Sequence, residues 1–148
     1  MQASLLITPT EAKPAAFVGI SLIVAWTWVL LGFLSGAALG RRFHDEHWLG
    51  GFGSLKRRLY RLTHISFFGL GAVNLMFWLT CRTIVINESF ATWASWGFVA
   101  GAVTMPLACL SMAHFPKSRP LFAVPVLSLI AAAALTLWAV LKTTRVLP

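Results

Sequence analysis

The chain has 148 residues, of which 58% are hydrophobic and only 11% charged, with a mean hydropathy of +0.79 and a formal charge of +8. A water-soluble domain of this length needs a far more polar surface, so that class is excluded. The cations flank apolar segments and read as headgroup contacts and orientation signals, so nucleic acid is not an expected partner.

Nearly all the apolar content lies in four runs, each at least as long as the roughly 20 helical residues needed to cross a bilayer. The sequence therefore predicts an all-α integral membrane protein with four transmembrane helices in an up-down bundle and both termini on the same side. Residues 1–148 form one membrane domain, with spans at 15–40, 59–81, 89–113 and 120–141. The first run is too long and starts too late for a cleavable leader, whose apolar part spans roughly 7–15 residues, so it is expected to stay in the mature protein.

The first span ends in "GFLSGAALG", which sets Gly32, Gly36 and Gly40 on one face with Ser35 and Ala37 beside them. Small residues let helices approach closely in lipid, where no hydrophobic drive pulls them together. Such a stripe serves contact within the bundle or docking onto another subunit's helix. Trp26 and Trp28 lie deeper in the span and are expected to pack or to face lipid.

The connection opens with "RRFHDEHW" at 41–48, in which His44 and His47 bracket Asp45 and Glu46. If the first helix continues here, residues three apart share a face. Two imidazoles could then meet one metal ion, with Asp45, Glu46, His64 or His114 completing its shell. The spacing is not that of an established metal motif. The two acids could instead pair with Arg41, Arg42 or the arginines that follow. "GGFGSLKRR" at 50–58 lacks the lysine-hydroxyl pair of a phosphate loop and reads as a flexible turn into a basic helix start.

In the second span His64 lies about one and a half turns inside the membrane, with Arg57 and Arg61 below it on roughly its face and Phe67, Phe68, Gly71, Leu75 and Trp78 above. Asn74, at mid-membrane, is expected to bond across helices. The third span carries Gly97 and Gly101 four apart, Pro106 as an expected kink, and His114 at its end. The fourth has Pro125 in its first turns and four alanines at 131–134.

All four histidines fall at one end of the bundle. Eight of the twelve cations do too: Arg41, Arg42, Lys56, Arg57, Arg58, Arg61, Lys117 and Arg119, against Lys13, Arg82, Lys142 and Arg145. By the positive-inside rule the richer loops are cytoplasmic and both termini outside, in what reads as a bacterial cytoplasmic (inner) membrane. Trp78, Trp93 and Trp138, with Trp96 one turn deeper, fit an aromatic belt at the other face. Cys81 and Cys109 fall at opposite ends of their spans, on the order of 20 Å apart, too far for a disulfide. The "NES" at 87–89 sits too close to the membrane to be read as a glycosylation site.

Three chemical readings compete with a purely structural one. Haem b could take His64 and His114 as axial ligands, with Arg57 and Arg61 near its propionates. A quinone could meet His64, Arg61, Tyr60 and Ser66 at the headgroup boundary. A metal could sit on His44 and His47. No carboxylate lies inside a span, which argues against a proton-coupled carrier. The leading expectation is a non-catalytic accessory or structural subunit of a larger membrane complex, or a small self-associating protein, whose partners are lipids and other membrane subunits. The rival is an electron-transfer subunit binding haem b or quinone around His64.

Overall fold

The computed structural model describes the backbone of residues 16–144 and the side chains of 18–144. Lys13 and Arg145, counted above, lie outside the described residues. Four long helices account for nearly all of the described chain: α1 (Ala16–Gly40), α2 (Leu55–Thr83), α3 (Glu88–His114) and α4 (Ala123–Thr144). Each is long and apolar enough to cross a membrane.

Helix ends follow local capping chemistry more closely than hydropathy. α2 begins four residues before the predicted span because Ser54, in extended conformation, accepts the N–H of Arg57 on its hydroxyl and so starts the helix. Asn87 caps α3 in the same way through the N–H of Ser89. α4 begins three residues late, since Pro116–Phe122 winds as 3₁₀ turns around two prolines that cannot donate.

Consecutive helices are antiparallel. Gly32 meets Phe68 and Gly36 meets His64 across α1 and α2. Phe77 stacks on Phe98 across α2 and α3, with ring centroids 5.1 Å apart. Gly97 meets Ala132 and Gly101 meets Leu129 across α3 and α4. α1 and α3 run parallel, since Ser21 bonds Ser95 and, further along both helices, Trp28 bonds Ala102. α1 packs along α2 and α3, and α4 packs mainly along α3; α1 and α4 share no extended contact. The bundle is therefore open, with α1 and α4 as its flanks. Its core comprises two apolar clusters, one of Phe77, Ala94, Phe98 and Ala132, the other of Val24, Leu70 and Ala102.

The small residues are spent on these seams. A Cβ built on Gly32 would lie 2.8 Å from the Phe68 ring, and one on Gly36 2.9 Å from His64 Cε1. Gly97 and Gly101 admit Ala132 and Leu129 in the same way. The α1 stripe thus serves contact within the chain, and Gly40, its third member, meets nothing within 4 Å. Gly36→Ala is accordingly expected to fall at least about 1 kcal/mol below Gly40→Ala in stability, read by SDS titration of the detergent-solubilised protein.

Asn74 departs from the interhelical role expected of it. It is fully buried, but its amide Nδ2 donates to the Leu70 carbonyl of its own helix at 2.9 Å, and its Oδ1 has no partner. It lies between Leu70 and Phe77, which belong to the two apolar clusters. Removing a buried group that is only half satisfied costs little. Asn74→Leu is expected to leave stability unchanged or raise it by about 1 kcal/mol, and a loss above about 1 kcal/mol in the same titration would refute this account.

Pro106 lies inside α3 without ending it. Having no N–H, it leaves the Ala102 carbonyl one turn earlier without its helical donor. The Trp28 indole N–H, reaching across from α1, donates to that carbonyl at 3.0 Å. The vacated helical bond has become an interhelical one.

Candidate functional site

The end of the bundle that carries the 41–54 and 115–122 connections holds the histidines, the tyrosine and most cations. Here α1 runs out through a series of tight turns: Phe43 N–H bonds the Gly40 carbonyl, Asp45 that of Arg42 and Trp48 that of Asp45. Leu49, Gly50 and Gly51 all have positive φ, at 57, 86 and 91°. Two glycines meet that requirement at no steric cost, while Leu49 carries strain. Ser54, already the cap of α2, donates its hydroxyl to the Leu49 carbonyl at 2.6 Å and holds that residue in place.

At the centre of this loop is Arg57, only 2% exposed. Its two terminal nitrogens donate to the backbone carbonyls of Asp45, at 3.0 Å, and Phe43, at 2.7 Å. Its guanidinium carbon lies 4.0 Å from the ring centroid of Phe52, 5.5 Å from that of Trp48 and 6.0 Å from that of Phe43. Arg57 is thus a clamp in an aromatic cage. The position expected to face haem propionates is turned inward onto the loop backbone. Arg61, the other expected counter-charge, is exposed.

This answers what "HDEH" is for. The Asp45 carboxylate accepts the backbone N–H of His47 at 3.0 Å, and its carbonyl accepts Arg57. His44 and His47 are both exposed. Among the described residues no three side chains of His, Cys, Asp or Glu come together as a metal shell.

His64 and His114 lean on different neighbours. His64 Nδ1 lies 3.0 Å from Ser35 Oγ on α1. The single Ser35 hydroxyl proton goes to the Gly32 carbonyl at 3.0 Å. The Ser35 hydroxyl thus stands between the His64 ring and the backbone of its own helix. The ring rests on Gly36, and Phe68 stands edge-on to it at 5.5 Å. His114 Nε2 instead lies 2.9 Å from the Tyr60 hydroxyl, and Tyr60 in turn stands edge-on to Trp48. These contacts tie α1 to α2 and α2 to α3, and they engage one ring nitrogen of each imidazole. Ser66, offered for a quinone, is buried and donates to the Thr63 carbonyl of its own helix.

No family model, curated protein or solved structure matches this chain.

The sequence reading passed over several of these contacts. The Arg57 cage and the Trp28–Ala102 bond were not anticipated, nor were the hydroxyl partners of the two histidines. The buried Ser21–Ser95 bond, 2.9 Å long between α1 and α3, was missed as well. Of these, only Trp28–Ala102 left a trace in the sequence, in the form of Pro106.

Proposed function

We propose that this protein is a non-catalytic subunit of a membrane complex, docked through the outward face of α1. The observation that carries this reading is a pair of polar groups near the middle of that helix. Ile23, Trp26, Thr27, Leu30, Phe33 and Leu34 are exposed and form one ridge at helical spacing. Trp26 is 66% exposed, ten residues from the start of α1, or about 15 Å into the span at 1.5 Å per residue. Neither its indole N–H nor the Thr27 hydroxyl bonds another group among the described residues. Thr63, Thr80, Thr104 and Thr136 all fold their hydroxyls back onto the carbonyl four residues earlier, and Thr27 does not. A polar group facing hydrocarbon without a partner is costly, whereas a neighbouring helix with a hydroxyl or free carbonyl satisfies it.

The chemistry-bearing side chains support the non-catalytic part of the reading, because His64–Ser35, Tyr60–His114 and Ser21–Ser95 all join one helix to the next. Among the described residues, eight cations gather at the loop-bearing end and Arg82 and Lys142 at the other. This split favours a bacterial cytoplasmic membrane with the 41–54 and 115–122 connections inside.

A photo-crosslinking side chain at Leu30, in the full chain in its native membrane, tests the proposal. One discrete heavier adduct is expected, with none from Leu137 on the outer face of α4. Trp26→Phe with Thr27→Val should lower the Leu30 adduct about tenfold, since two interhelical hydrogen bonds are worth on the order of 1–2 kcal/mol in lipid. An adduct of twice the chain's mass would identify the partner as a second copy. Adducts to lipid alone, or a Leu30 adduct indifferent to the double substitution, would refute the proposal.

A further inference from the structure

At the end of the bundle opposite the Arg57 cage, the 84–87 turn and the last turns of α4 enclose a cleft of about 440 Å³. That volume is within the range of small-molecule sites, roughly 300–1,000 Å³. Val85, Ile86, Phe90, Trp138 and Lys142 are among the residues that line it. Phe90 meets Trp138 edge-on with ring centroids 4.9 Å apart, and the Lys142 ammonium sits 5.0 Å from the Trp138 centroid. Among the described residues that line the cleft none is acidic, and Lys142 carries a positive charge. Val85 is 90% exposed, an apolar side chain that gains only if something apolar covers it.

The depth of the cleft narrows the choice of occupant. Trp138 with Lys142 on α4, and Trp78 with Arg82 on α2, are matching pairs four residues apart with the cation over the ring. Tryptophan and lysine or arginine at helix ends mark the boundary between hydrocarbon and headgroups. The cleft therefore lies at the depth of the headgroup boundary, where apolar side chains can meet acyl chains and an ammonium can meet phosphates. A neutral lipid leaves Lys142 unmatched, and a free anion leaves Val85, Phe90 and Trp138 uncovered.

We propose that this cleft is a binding site for one anionic phospholipid, its phosphate on Lys142 and an acyl chain along Phe90, Trp138 and Val85. The proposal is independent of the α1 face, since the cleft is built by α3, α4 and the turn before α3.

Native mass spectrometry of the full chain in detergent, titrated with dioleoyl phosphatidylglycerol and separately with dioleoyl phosphatidylcholine, tests it. One adduct is expected at low phosphatidylglycerol, with phosphatidylcholine clearly weaker. Lys142→Gln should weaken the phosphatidylglycerol adduct about fivefold, the effect expected of one cation near an anionic surface. Lys142→Arg should retain the adduct, and Trp138→Ala should weaken it while sparing Lys142. Arg82→Gln, whose side chain is outside the cleft, should leave it unchanged. Equal binding of the two lipids overturns the site. So does an adduct indifferent to Lys142→Gln and Trp138→Ala, or one weakened as much by Arg82→Gln as by Lys142→Gln.

Discussion

Arg57→Ala is expected to lower stability by about 3 kcal/mol and to open the 43–53 segment to protease. The guanidinium holds the Phe43 carbonyl and shares that of Asp45 with the Trp48 N–H, and hydrogen bonds from a charged donor contribute about 1.5–3 kcal/mol each. Three aromatic rings around the cation add to this, at roughly 0.5–2 kcal/mol for each close contact. Water entering the emptied cage returns part of the loss, which is why the sum is not fully realised. Leu49 at positive φ makes the loop depend on its anchors, because the strained residue has no reason to stay once the turn around it loosens.

The lysine variant separates charge from shape. A guanidinium offers donors in a planar fork and can hold the Phe43 and Asp45 carbonyls together, whereas an ammonium is a compact point charge on a flexible stem. Arg57→Lys should therefore recover less than half of the loss. Arg58→Ala, one residue on and exposed, should stay within about 0.5 kcal/mol of the parent. SDS titration of the three variants, with limited proteolysis read at the loop, decides the matter. An alanine variant as stable and as protease-resistant as the parent would mean that the cage holds nothing.

Arg57 also marks where sequence reading reaches its limit. Hydropathy alone located the four spans, because a run of apolar side chains long enough to cross a bilayer has few other uses. The ends of α2 and α4 were displaced by features hydropathy does not weigh, namely the Ser54 cap and the prolines of 116–122. The role of Arg57 was illegible for a different reason: its partners are backbone carbonyls, which every residue has, so nothing in the spelling of the loop announces them. Its charge reads in the sequence as a topology signal and as a counter-charge for haem propionates, and the first of these it can be at the same time.

The histidines depended on helix rotation. α1 is apolar nearly all round, so periodicity does not say which face meets α2, and Ser35 could not be assigned to His64 in advance. The glycine stripe did carry that information, since Gly32 and Gly36 are where Phe68 and His64 dock. The same geometry turned the partner-docking question from the glycine face to the opposite one, where Trp26 and Thr27 point outward.

Trp28→Phe is expected to cost about 2 kcal/mol, and the cost should shrink to about 1 kcal/mol or less when Pro106 is also replaced by alanine. Phenylalanine keeps an aromatic ring for the edge-on contact with Phe67, at 6.1 Å between centroids, so the substitution chiefly removes the indole N–H. In the parent this leaves the carbonyl of the fully buried Ala102 with neither its helical donor nor its borrowed one. An unpaired carbonyl in hydrocarbon costs several kcal/mol before the helix relaxes around it. Alanine at 106 restores an N–H one turn downstream, and the carbonyl is then satisfied whether or not the indole reaches it. The double-mutant cycle measures that difference directly and cancels whatever Pro106→Ala does to α3 by itself. A coupling near zero would show that the Trp28 bond is incidental to the proline. A coupling of about 1 kcal/mol would show that a helix bond lost to proline has been rebuilt from a neighbouring helix, which is how a membrane protein keeps a proline in mid-span.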